Sequence, residues 1–194
     1  MLVQVDHLAL TGIAMDTQIH ILESMGYEQV FLSDRIPNPE IKRPFMREWC
    51  EHHTLALYRR DGSIPIEIIE YEHTSRGQSR YDLEQGPNGS LTQPDEADTV
   101  PDSVDALDTV ILETASPSAT CEFFRMLGLE QSDPRTLTFE SPLTGPTFVE
   151  LREASSASGE AYLDTPGYPC LAFVTTEIEA ELSRLDEAGY DVTA

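Results

Sequence analysis

The sequence predicts an α+β protein built from repeated βαβββ modules, and three observations carry that prediction. Three segments align without a gap: "HLALTGIAMDTQIHILESMGYE" from His7, "TVILETASPSATCEFFRMLGLE" from Thr109 and "CLAFVTTEIEAELSRLDEAGYD" from Cys170. In each, a glycine stands nineteen positions after the first residue, at Gly26, Gly128 and Gly189. Short apolar stretches suited to strands alternate with stretches whose apolar residues recur at helical spacing. Leu8, Val110 and Leu171 correspond, as do Leu22, Phe124 and Leu185, and Tyr27, Leu129 and Tyr190 follow the glycines.

Each copy reads as strand, short loop, amphipathic helix and glycine stop. In "VDHLALTG" (5–12) the side chains of a regular strand alternate, so Val5, His7 and Ala9 are expected on one face and Asp6, Leu8 and Leu10 on the other. Asp16 is the expected N-cap of the first helix, with Ile19, Leu22 and Met25 on its buried side, and Gly26 takes the left-handed position that ends it. Strands follow in "YEQVFL" (27–32), "HTLALYR" (53–59) and "IPIEIIEY" (64–71), with "RDG" (60–62) as a hairpin turn. In the second copy Ser116 precedes Pro117, which suits a first helical turn, and Phe123, Phe124 and Leu127 form the buried stripe. It continues through "TLTFES" (136–141), the turn "PLTG" (142–145) and "TFVELRE" (147–153). The expected layout is a first module over 1–73 and a linker or surface excursion over 74–103, rich in Gly, Pro, Gln, Ser and Asp. A second, shortened module follows over 104–154, then a joint over 155–166 that contains "SSASGE" and a partial third module over 167–194.

Composition removes several function classes. The chain of 194 residues has 35 acidic and 12 basic side chains, a formal charge of −23, which repels nucleic acid and anionic membrane surfaces. Lys42 is the only lysine, and an acidic, lysine-poor surface resembles that of halophilic cytoplasmic proteins. No run of about twenty apolar residues exists to span a bilayer, and "MLVQVDH" lacks the basic opening of a signal peptide. Cys50, Cys121 and Cys170 are widely spaced and odd in number, so they read as reduced thiols and the expected location is the cytoplasm.

A βαβββ unit that opens with "DHLAL" and closes with "IEIIEY" resembles the vicinal oxygen chelate superfamily, which includes glyoxalase I, extradiol dioxygenases and the bleomycin and fosfomycin resistance proteins. The resemblance covers nearly the whole chain except the linker. It implies curved mixed sheets that pair to form a cup, with helices outside, and metal ligands on the first and last strands of each module. On that pattern His7 is the first-strand ligand, and Glu67 and Glu150 are the last-strand carboxylates of the first and second modules. Strand parity supports Glu67 independently, because a carboxylate between isoleucines is costly unless paired or metal-bound. Glu70 has the opposite parity and is rejected as a partner of His7. Thr109 departs from the pattern where a His or Gln is expected, and Cys170 reads as a small buried thiol. The expected metal set is therefore His7, Glu67 and Glu150, if the first two modules pair. Mixed N and O ligands suit a divalent Fe, Mn, Ni, Zn or Co ion without choosing among them.

Other candidates are weaker. His52 and His53 are adjacent on a strand, so only one of them can face the cup. His20 and His73 are expected in solvent, and Arg59 and Arg60 at a solvated turn. No phosphate loop, dinucleotide fingerprint or nucleophile elbow is present. The implied function is a metal-dependent lyase, isomerase, epimerase or dioxygenase acting on a small oxygenated metabolite. The alternatives are a non-catalytic small-molecule binding or resistance-type protein, and a structural module pair without metal. The strand at 169–175 lacks neighbours of its own module, so either another module or a second subunit pairs with it; a homodimer is expected.

Overall fold

The computed structural model describes residues 2–12, 15–73, 81–85, 89–91, 107–141, 145–154 and 162–192. The first module is β1 (Leu2–Thr11), α1 (Met15–Ser24), β2 (Glu28–Pro37), β3 (His52–Arg59) and β4 (Ile66–Tyr71), with a short 3-10 helix over Glu40–Phe45. Next come β5 (Tyr81–Gln85) and β6 (Gly89–Leu91), both within the stretch read as linker. The second module comprises β7 (Thr109–Thr114), α2 (Pro117–Met126), β8 (Glu130–Asp133), β9 (Thr136–Ser141) and β10 (Gly145–Glu153). The third copy supplies β11 (Gly167–Thr175) and α3 (Ile178–Glu187). β8 was not expected from its polar sequence, and it completes the βαβββ unit that the sequence makes look shortened. The rest of the joint before residue 162, and of the linker, lies outside the described residues.

The strands run in the order β2-β3-β4-β1-β11-β5-β7-β10-β9-β8, with β6 on β5. Within each module the first strand is parallel to the last, β1 to β4 and β7 to β10, and the other neighbours are antiparallel. The strand of the third copy finds its partner inside the chain: β11 runs antiparallel to β1, with Leu8 opposite Leu171. The two modules therefore do not meet edge to edge, because β11 and β5 stand between β1 and β7.

One continuous core joins both halves on the helix-bearing face. Leu8, Leu10, Leu22, Tyr58, Ile66 and Ile68 of the first module share it with Val110, Phe124, Leu137, Val149 and Leu151 of the second. The three helices end alike. Gly26, Gly128 and Gly189 have φ of 81°, 102° and 83°, and the following amides of Tyr27, Leu129 and Tyr190 reach back to the carbonyls of Leu22, Phe124 and Leu185. Glycine alone adopts that backbone without a Cβ penalty, which explains its place in every copy. Asp16 is not the N-cap, since α1 begins at Met15 and Asp16 sits within its first turn.

Val5 also departs from expectation. It is buried in the helix-side core with Leu8 and Leu10, while His7 and Ala9 face the other way. From Val5 to His7 the chain advances two residues while its partner β11 advances one, Phe173 to Ala172. Asp6 is the extra residue of a β-bulge, and the alternation is reset there.

Candidate functional site

β1 and β4 place His7 and Glu67 together on the concave face of the first half. Ala9 pairs with Glu67 in the parallel ladder, and Leu57 of β3 lies opposite Glu67 on its other side. Ala172 stands opposite His7, and Cys170 opposite Ala9. His7 Nε2 lies 3.3 Å from Glu67 Oε2, and His7 Nδ1 lies 2.9 Å from Asp6 Oδ2. Burial alone would lower the His7 pKa, but the hydrogen bond and charge of Glu67, then those of Asp6, outweigh it and hold it above 6.5.

Further along the face, toward the ends of β1 and β4, the cup is roofed. Met46, Trp49 and Cys50 pack with Ala9, Ile69, Tyr71, Leu163 and Cys170. The roof is clasped by Asp164, which is fully buried and accepts the backbone N–H of Arg47 at 2.9 Å and of Glu48 at 3.1 Å. Thr11 Oγ1 donates to the Leu163 carbonyl at 2.7 Å, and the Leu163 amide donates to the Phe45 carbonyl at 2.8 Å.

Two further polar side chains lie here: the sequence left open which of His52 and His53 faces the cup, and did not single out Tyr71. His53 is the histidine of its pair that faces the cup, directly opposite Tyr71, with ring centroids 5.7 Å apart. Both are buried, and His53 Nδ1 and the Tyr71 hydroxyl find no hydrogen-bond partner among the described residues. Burial and then the Lys42 charge lower the His53 pKa, so the ring is neutral at pH 7. Burial, before all else, pushes the Tyr71 phenol above its ordinary range. The signal for both was parity, since positions 53, 55 and 57 share the face of Glu67, and Tyr71 lies four residues beyond it. His20 and His73 are exposed, as their positions imply.

The residues of the pair suit a metal ion. Two ligand atoms, each about 2.0–2.2 Å from one ion, stand roughly 3.0 Å apart at a right angle and roughly 3.4 Å apart at a tetrahedral angle. The 3.3 Å between His7 Nε2 and Glu67 Oε2 falls between those separations. Glu150 does not join them. Among the described residues no group of three or more His, Cys, Asp or Glu side chains converges as a metal cage would. The reason lies in the sheet order, which separates β10 from β1 by three strands, and in Arg152 Nε, which donates to Glu150 Oε1 at 2.9 Å. A guanidinium on that carboxylate opposes a second cation there. Cys170 lies near Glu67, and burial first and the Glu67 charge second raise its thiol pKa.

Comparison with solved structures places this geometry in context. Glyoxalase I from Zea mays superimposes over 95% of this chain and 79% of its own at a TM-score of 0.55 and 14% identity. Two single-residue variants of it give 0.57 at 13% identity and 0.60 at 12%, each over 95% of this chain and covering 79% and 80% of their own. The chain shares the α+β fold of glyoxalase I. Neither a protein-family model nor a curated protein sequence matches the chain. No helix among the described residues is long and apolar enough to cross a membrane.

Proposed function

We propose that this protein is a metal-dependent enzyme of the vicinal oxygen chelate type, acting on a small oxygenated metabolite, with His7 and Glu67 as two adjacent protein ligands of one divalent ion. The observation that carries the reading is the 3.3 Å approach of His7 Nε2 to Glu67 Oε2 on the concave face. A bound divalent ion would act as a Lewis acid on two neighbouring oxygens of the substrate, an enediolate, diol or catecholate. The chain's own side chains supply the rest. Leu55, Leu57 and Ile69 share the face of Glu67 and give the substrate an apolar wall, while the neutral His53 and Tyr71 are polar groups at its roofed end. An uncharged pair suits a hydroxyl or carbonyl better than a carboxylate, since Glu67 already supplies negative charge nearby.

Metal analysis of protein purified without chelators tests the reading. The expected result is one Fe, Mn, Ni, Zn or Co ion per chain, lost in His7→Ala and Glu67→Gln. A wild-type chain that takes up none of these ions on titration would instead support a non-catalytic small-molecule binding protein, the reading that the Arg152–Glu150 pair favours. A homodimer and a high-salt cytoplasmic setting belong to the same proposal. β2 stands at the sheet edge with Val30, Phe31 and Leu32 exposed, a surface that a second copy would cover.

A further inference from the structure

We propose that Asp6 is a positioning residue that holds the His7 ring in the tautomer and orientation that leave Nε2 open beside Glu67. The inference rests on the metal-centred reading above and extends it to a residue that touches neither ion nor substrate. Its basis is the bulge in β1. In an unbroken strand neighbouring side chains leave from opposite faces, and Asp6 would stand behind the sheet from His7. Because β1 carries one residue more than β11 between the Val5–Phe173 and Ala172–His7 pairs, the Asp6 carboxylate instead comes round to 2.9 Å from His7 Nδ1.

The chemistry of the contact is one-directional. An ionised carboxylate only accepts, so the contact requires a proton on His7 Nδ1. A neutral imidazole has one proton, and placing it on Nδ1 leaves the lone pair on Nε2, the atom that faces Glu67. The opposite tautomer would donate to Glu67 and close Nε2 to an ion; the 2.9 Å contact to Asp6, shorter than the 3.3 Å to Glu67, favours the proton on Nδ1. Exposure orders the three groups from outside inward, with side chains 34% exposed at Asp6, 18% at His7 and 17% at Glu67. Asp6 thus keeps its charge hydrated while its oxygen steers a ring that the small Ala9 and Ala172 do not hold.

The test uses the full chain and two readouts. Nitrogen-15 NMR of the metal-free protein, at a pH of about 9 where histidine is ordinarily neutral, reports which His7 nitrogen bears the proton. Calorimetric titration with zinc reports affinity. In the wild type the proton is expected on Nδ1. In Asp6→Ala it is expected to move toward Nε2, where Glu67 accepts it, and zinc affinity to fall about 10–100-fold. Asp6→Asn, whose side-chain oxygen still accepts, should keep the wild-type tautomer and most of the affinity. Asp6→Ser is too short to reach Nδ1 and gives the same reading should Asp6→Ala fail to fold. An unchanged tautomer in the folded Ala or Ser variant would overturn the proposal. A wild type that binds none of Fe, Mn, Ni, Zn or Co on titration, yet whose tautomer shifts in Asp6→Ala, would overturn the metal reading and leave the role of Asp6 standing.

Discussion

His7 is held between two carboxylates, and its titration can be read as stability. Its folded pKa is raised, because Glu67 and Asp6 together outweigh burial. A raised pKa means that the protonated ring is favoured by folding. The resulting stabilisation is complete below the unfolded value of 6.5 and is lost as pH rises through the higher folded value. In chelator, the melting temperature of the wild type should therefore exceed that of His7→Gln most clearly below pH 6.5. The gap should narrow as pH rises through the folded pKa. A gap that widens with pH would show that the carboxylates do not hold the charged ring. At this scale the sequence was informative only in part. His7 and Glu67 could be paired from strand parity, since both lie on regular stretches beyond the bulge. Asp6 could not, because alternation assumes an unbroken strand, and nothing in "VDHLAL" announces the extra residue. Glu150 was matched to the last-strand position by the family pattern, and neither the strands between the modules nor Arg152 enters that pattern.

The most legible element was the helix stop. A left-handed backbone at one position of each copy admits glycine almost alone, so the structural requirement is written directly in the sequence. Gly128 tests it without ambiguity, because a Cβ built there meets nothing within 4 Å. Gly128→Ala should destabilise the protein by about 1 kcal/mol through backbone conformation alone, measured by urea unfolding with an unchanged m-value. A neutral result would mean that α2 ends in another way. The β5–β6 hairpin was illegible for the opposite reason. Its surroundings are rich in Gly, Pro, Ser and Asp, and its strands are defined by the edges of β7 and β11 rather than by a pattern of their own.

The whole molecule is dominated by its charge. With a formal charge of −23, self-repulsion opposes compaction, and the screening length falls from about 10 Å at 0.1 M salt to about 3 Å at 1 M. The melting temperature should rise over that range of sodium chloride. Sedimentation in the same buffers should move from the single-chain mass of 21.6 kDa toward twice that value as repulsion between copies is screened. A melting temperature that falls with salt would argue against the halophilic reading, and a constant single-chain mass against the dimer. The fold class was legible at this scale because three copies in register left little else to choose. The pairing of β1 with β11 was not, since an antiparallel partner on another module leaves no mark on either strand.

That pairing also sets an order of events during synthesis. β1 emerges well before the strand that covers its open edge, and well before the 162–165 segment that clasps the roof. Thr11 and its hydrogen-bond partner Leu163 are 152 positions apart. At a synthesis rate of about 5–20 residues per second, β1 waits roughly 8–30 s for that neighbour. Until then the first module's cup has no roof clasp and an unpaired strand edge, an exposure that favours capture by a chaperone over premature association. His7 and Glu67 can approach each other early, because β1 and β4 belong to one module. The closed cup around them is a late product of the ribosome's work.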